Sequence, residues 1–337
     1  MTERITIADV ARAAGVSMMT VSRAINNKEG VSAATRARIL EIAQQMAFQP
    51  NSIAQSLASN RTATIGLVVP DIANPFFAEI ARGVEDVAYV HDYNVFLLNS
   101  NESVEREEKA LESLLSKQVD GLIWCSSRLS LDKLSLYLPR FAYTVLINRT
   151  IAEPMSNVIM IDVDDAAGAA QAVAHFVQHG RRKVALLAGP SHSVSGQKRR
   201  RGFLAACEQL GLAVDESHIR PCDPTSAGGY EVTLNLLQDR PQIDAILAYN
   251  DLVAVGVLQA CYELGRRVPE EMTLIGFDDI PLAALVTPSL STLRIDKYDL
   301  GERGMQTLLQ LLNQTDGSAI VTQMMRPELI LRESTAR

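Results

Sequence analysis

Cysteine, aromatic residues and long apolar runs are all scarce in this chain. Its four cysteines, Cys125, Cys207, Cys222 and Cys261, are widely spaced with no C-x-x-C among them. That excludes a disulfide scaffold and a zinc site, and it fits free thiols in a reducing compartment. The five histidines show no metal-ligand spacing. No stretch approaches the ~18 apolar residues of a membrane span. The opening MTERITIADVARAAG is charged and then amphipathic, without the basic head and apolar run of a signal peptide. G-x-S-x-G, Walker A and a strand-borne G-x-G-x-x-G are missing. These absences predict a cytoplasmic protein that is not an enzyme and has no metal, no cofactor and no membrane partner.

What is present is an ordinary globular composition, 47% apolar and 21% charged over 337 residues. That length suggests two or three domains at roughly 100–200 residues each. Charge is uneven. Residues 1–61 hold seven basic against four acidic residues, a balance of +3, and the remainder holds 25 against 35, a balance of −10. A small basic module on a large acidic body suggests a polyanion contact at the N-terminus, although +3 is also within ordinary variation.

The first 48 residues read as three short helices. Ile7, Val10, Ala11 and Ala14 fall on one helical face, Thr6 and Asp9 form a capping-box pair, and Gly15 supplies a left-handed stop. Ser17 caps a second helix with Val21, Ala24 and Ile25 inward, and Ser32 a third with Ile39, Ile42, Ala43 and Met46 inward. The short Gly15-Val16-Ser17 turn forces a steep crossing. A braced helix of this kind fits a DNA major groove. On it, Ser17 and Thr20 suit phosphates, Arg23 suits a guanine edge, and Met18 and Met19 suit thymine methyls.

Pro50-Asn51 ends this pattern and a linker follows. From Ala63 apolar runs alternate with amphipathic stretches. The runs are Thr64–Val69, Asn94–Leu98, Gly121–Trp124, Thr144–Ile147 and Val158–Ile161, then Lys183–Leu187, Ala245–Ala248 and Leu274–Phe277. Helical stretches such as Pro75–Val90 and Leu252–Leu264 lie between them. The alternation predicts parallel sheets covered by helices, in two doubly wound series.

Thr6-Ile7-Ala8-Asp9-Val10-Ala11, Ala14-Gly15-Val16-Ser17, Thr20-Val21-Ser22-Arg23, Val31-Ser32 and Pro50-Asn51 with Ala54 and Leu57 together resemble the lactose-repressor (LacI) family of transcription regulators. The resemblance covers nearly the whole chain. It implies an all-α helix-turn-helix module plus an α/β body like periplasmic binding proteins, with two doubly wound parallel-sheet subdomains. The implied boundaries are 1–49 for the module and 50–61 for a hinge helix. They continue with 62–162 and 293–324 for one subdomain, and 163–292 and 325–337 for the other.

The resemblance also implies DNA contact by Thr6, Ser17, Met18, Met19, Thr20, Ser22 and Arg23. In the hinge it implies contact by Asn51, Ala54 and Leu57, with Leu57 as a wedge in the minor groove. Met18-Met19 departs from the polar pair of several family members and predicts more methyl contact. For the body, the resemblance assigns ligand contact to Asn74, Phe76, Phe77, Asn148, Arg149, Arg199, Asn250 and Asp278.

Aromatic faces with amide, carboxylate and guanidinium groups suit a carbohydrate. Asn148 stands where the family often has Asp, and Arg149 and Arg199 show no acidic partner other than Asp278. A sugar acid is therefore slightly preferred to a neutral sugar. Pro224 replaces a commonly aromatic position. His192 reads as a loop residue, Asp251 and Asp279 as helix caps, and most of Lys198–Arg201 as an exposed face. The implied function is a repressor that binds a pseudo-palindromic operator as a homodimer under control of this effector. The alternatives are a purine-responsive regulator of the same build, or a carbohydrate-binding protein or enzyme on the same scaffold.

Overall fold

The computed structural model describes residues 5–48, 61–313 and 322–335. The chain divides between Thr62 and Ala63 into two compact units.

In the smaller unit three helices pack together: α1 (Ile7–Ala14), α2 (Met18–Ile25) and α3 (Ala33–Gln45). Their ends are set locally. The Thr6 N–H and hydroxyl both donate to Asp9 Oδ2, at 3.0 and 2.6 Å. Gly15 ends α1 with φ +63°, a left-handed conformation that costs glycine little. The Ser17 and Ser32 hydroxyls accept the N–H groups of Thr20 and Thr35. The core is seven small or branched residues, Val10, Ala11, Ala14, Val21, Ala24, Ile39 and Ala43. Helices this short are marginal alone, so mutual burial holds them.

The larger unit begins with β1 (Thr64–Val69), α4 (Pro75–Val90), β2 (Asn94–Asn99), α5 (Val104–Ser116), β3 (Gly121–Cys125), α6 (Leu131–Tyr137), β4 (Thr144–Ile147) and β5 (Val158–Val163). It continues with α7 (Asp165–Gln178), β6 (Val184–Leu187), α8 (Val194–Gln209), β7 (Ile219–Arg220), α9 (Ser226–Asp239), β8 (Ala245–Ala248), α10 (Asp251–Glu263) and β9 (Thr273–Asp278). It closes with α11 (Pro281–Leu285), β10 (Ser291–Arg294), α12 (Lys297–Asn313), β11 (Gln323–Met325) and β12 (Glu328–Ile330). β1 and most later central strands are buried along their whole length, as parallel strands covered on both faces are.

Two six-stranded sheets result, ordered β11-β5-β4-β3-β1-β2 and β12-β10-β9-β8-β6-β7. They are called the first and second halves below. Each carries the doubly wound order with a switch point beside its first strand, between β1 and β3 or between β6 and β8. The pairings are parallel except that of β12 with β10, an antiparallel edge that the sequence alternation does not reveal. α12 also goes unannounced by the alternation; it packs on α4 in the first half although it follows a strand of the second. Among the described residues no helix is long and apolar enough to cross a membrane.

Candidate functional site

In the smaller unit the site is the start of α2. The Ser17 and Thr20 hydroxyls lie 2.9 Å apart at its N-terminus. Met18 and Met19 are 55% and 65% exposed, an arrangement that leaves two large apolar side chains unburied beside the solvated Arg23. Ser22 is half-buried on the same helix. Thr6 spends its hydroxyl on the cap of α1. Two of the basic residues are structural: Arg36 donates to the carbonyls of Ala24 and Lys28, closing the end of α2, and Arg38 donates to the Ala14 carbonyl at the end of α1. Asn51, Ala54 and Leu57 lie outside the described residues.

In the larger unit the carboxyl ends of the central strands meet in one cleft. Asn74, Phe76, Phe77, Glu102, Ser126, Arg128 and Asn148 line it from the first half, and Ser195, Arg199, Pro224, Tyr249, Asn250 and Asp278 from the second. The room it leaves to the centres of water-sized spheres is about 20 Å³, against the ~10–15 Å³ that one water needs.

Several lining groups also hold the backbone. Asn74 Oδ1 accepts the Phe76 N–H at 3.0 Å and Asn250 Oδ1 accepts the Val253 N–H at 2.8 Å, so each caps the helix that begins at the cleft. Phe76 and Phe77 stand edge to face, ring centroids 5.0 Å apart. Ser126, Asn148 and Asp278 close their strands at φ +45°, +54° and +104°. Non-glycine residues rarely take that conformation, and they cluster where a site is shaped. Asn148 Oδ1 is buried and has no hydrogen-bond partner among the described residues. Gly189, φ +71°, lets the Tyr249 ring lie where a Cβ would stand 2.3 Å from it.

Arg199 is the buried centre of the second half's wall. Its Nε donates to Asp165 at 2.9 Å, its Nη1 donates to the Tyr249 carbonyl, its Nη2 is 3.7 Å from Asp278, and its guanidinium lies 3.7 Å from the Phe277 ring centroid. Burial opposes its charge, but Asp165 and Asp278 outweigh burial and raise its pKa. Burial pushes the Asp278 carboxyl up to about 7, against the pull of Arg199 and Lys297. Lys297 Nζ, which donates to the backbone carbonyls of Asp278 and Asp279, ties the end of β9 to α12.

Four expectations are corrected, the last of them for Asp251 and Asp279. Arg149 is turned away from the cleft: its Nη2 donates to the Leu129 carbonyl at 2.6 Å, and it is not among the lining residues. Its side chain leaves the strand end on the side of the first half's own core. Arg199 does have an acidic partner besides Asp278, the buried Asp165 at the start of α7. This removes the charge argument for an acidic ligand. The basic run Lys198–Arg201 is mostly not an exposed face: Arg199 is buried, Lys198 and Arg200 are half-buried on Asp162, at 2.5 Å, and on Glu216, and Arg201 is exposed.

Asp251 and Asp279 are structural but not through caps. Asp251 accepts from the Thr292 hydroxyl and the Ile280 N–H, and Asp279 binds Arg294 and Arg332. Sequence reasoning passed over Glu102, Ser126, Arg128, Ser195 and Tyr249 as contacts. Reading the residues after β2 and β3 as closely as those after β1 and β4 would have found the first three.

A three-helix unit with a capped, exposed second helix, on a chain whose body holds a cleft between two doubly wound halves, defines a helix-turn-helix protein with a periplasmic-binding-protein-like domain. Comparison with known proteins agrees. Residues 6–51 match the family of bacterial regulatory proteins, lacI family, and residues 62–324 match the periplasmic binding proteins and sugar binding domain of LacI family. The chain is 34% identical over 319 residues to catabolite control protein A of Priestia megaterium, covering 94% of this chain and 96% of that protein. It is 36% identical over 310 residues to the ribose operon repressor of Halalkalibacterium halodurans, covering 92% and 91%. The lac repressor dimer bound to operator and the anti-inducer ONPF superposes with a TM-score of 0.88 at 27% identity, covering 99% of this chain and 100% of that one. The chain belongs to the LacI family of bacterial regulatory proteins and is a DNA-binding transcriptional regulator.

Proposed function

We propose that this regulator represses transcription from a pseudo-palindromic operator as a homodimer, and that a small neutral sugar bound in the cleft controls it. The observation that carries the effector reading is the cleft itself, lined at the strand ends of both halves, with the buried Asn148 Oδ1 lacking a partner among the described residues and Arg199 at its centre. A ligand bridging the two walls favours one relative placement of the halves. Moving a population from 99:1 to 1:99 requires about 5.5 kcal/mol of differential affinity. A few hydrogen bonds to charged groups, about 1.5–3 kcal/mol each, supply that if they form in only one placement. The small residual volume means that a sugar enters as the halves part.

Effector contact is assigned to Asn74, Phe76, Phe77, Asn148, Arg199, Asn250 and Asp278. DNA contact is assigned to Ser17, Met18, Met19, Thr20, Ser22 and Arg23, with residues 50–61 as the hinge. The body's subdomains are assigned to 62–162 with 293–324, and to 163–292 with 325–337. A role on operator DNA fits a cytoplasmic protein that carries out no catalytic step.

The test is binding of the full chain to palindromic duplexes selected from a random pool, measured against salt and against added aldoses. We expect a strong salt slope, a preference over random duplex and a change of affinity with one aldose. No preference over random duplex overturns the DNA reading. A response to a purine and to no sugar keeps the cleft and discards the sugar.

A further inference from the structure

Arg128 follows β3 and enters the cleft almost fully buried, yet no resemblance or strand-end argument had singled it out. Three carboxylate contacts fix it. Its Nε and Nη2 donate to the two oxygens of Glu102, at 2.6 and 2.9 Å, a bidentate pair. Its backbone N–H donates to Glu107 Oε2 at 2.9 Å, and the other oxygen of that buried carboxylate accepts the Trp124 indole N–H at 2.5 Å. The chain's single tryptophan is therefore one carboxylate away from the cleft wall.

The charges in the cleft balance in pairs. Arg128 is neutralised by Glu102 in the first half and Arg199 by Asp165 in the second, with Asp278 additional. An anionic ligand meets no unpaired arginine here and faces the Glu102 and Asp278 carboxylates. Glu102 is 23% exposed on the loop after β2, so its charge can be changed without opening a core.

We propose that Glu102 determines the specificity of the cleft: by neutralising Arg128 it restricts the site to uncharged polyhydroxyl ligands, and removal of its charge admits the corresponding acids. This rests on the cleft being the effector site. The full-length protein, wild type and Glu102→Gln, is tested against matched pairs of D-ribose and D-ribonate, D-galactose and D-galactonate, and D-glucose and D-gluconate. The readouts are melting temperature and Trp124 emission.

The wild type is expected to respond to at least one aldose and to no acid at the same concentration. Glu102→Gln is expected to bind the matching acid at least about tenfold more tightly than the wild type does, about 1.4 kcal/mol. The added substitution Arg128→Gln is expected to abolish that gain. Glu102 has φ +56°, a conformation asparagine tolerates well, so Glu102→Asn serves if Gln fails to fold.

A wild type that binds acids as well as aldoses overturns the proposal, as does an unchanged preference in the variants. If the aldose response is lost in Arg199→Met while Glu102→Gln gains no acid, only the Glu102 assignment falls. If an aldose response survives Arg199→Met, or none of the six compounds moves any variant, the cleft reading falls with it.

Discussion

The two units use opposite strategies for their candidate functional groups. On α2 the side chains assigned to DNA are largely in water: Met18, Met19 and Arg23 are exposed, and the unit's stability rests on a separate set of inward residues and on caps. In the cleft the assigned groups are buried, and several are also structural: Asn74 and Asn250 cap helices, and Arg199 holds two carboxylates. In the smaller unit, function and stability are therefore separable residue by residue. For these groups of the larger unit they are not, and a change at Asn74, Asn250 or Arg199 alters both.

The sharpest test of this contrast is Arg199→Ala. It leaves Asp165 and Asp278 buried without their cation, which costs about 3–5 kcal/mol. Chemical denaturation should show that loss together with loss of any aldose response. Unchanged stability would show that the cleft tolerates separation after all.

Asp278→Asn should act in the other direction on stability. Burial holds the folded carboxyl up at about 7, far above the ~3.9 of an aspartate in the unfolded chain. Between these values the folded chain retains a proton that the unfolded chain has released, so stability falls as pH rises through the window. Asn removes that penalty. The variant should gain stability progressively from about pH 4 to about pH 7, on the order of a few kcal/mol at the top, with no gain below pH 4. Melting curves across pH check it, and a gain independent of pH would contradict the assignment. The same variant should lose its aldose response.

Arg23→Ala should cost about 1–3 kcal/mol on the cognate operator and little on random duplex, with the melting temperature of the protein unchanged. Equal losses on both duplexes would move Arg23 from base reading to phosphate contact. The smallest effect on stability is expected for Met18→Ala and Met19→Ala, within about 0.5 kcal/mol, because neither side chain is buried. A larger loss of stability from either would show that the smaller unit also couples function to folding.

Local features were legible. Thr6 with Asp9, Gly15, Ser17 and Ser32 act as capping residues within a few positions of where they stand, so no distant partner is needed to recognise them. The strands of the body were legible as apolar runs, and their carboxyl ends as candidate positions, because burial on both faces leaves a run with no polar interruption. Helix α12 and strands β11 and β12 were not legible in the alternation, since their placement depends on which half the chain re-enters; only the family resemblance assigned 293–324 to one half and 325–337 to the other.

The sequence by itself determined the two kinds of unit, the cap positions, the apolar strands and the family. Tertiary structure decided which charges neutralise each other. Asp165 lies 34 positions from Arg199, and Glu102 lies 26 from Arg128. Both pairs form because helix packing or strand order brings those ends together. Arg149, beside a cleft residue in sequence, points elsewhere, since the strand end that aims Asn148 inward carries its neighbour out of the cleft. Short-range geometry is a property of a few consecutive residues and can be read from them. The pairing of buried ions is a property of the assembled sheets, because a charge is held inside only where a distant partner arrives with it.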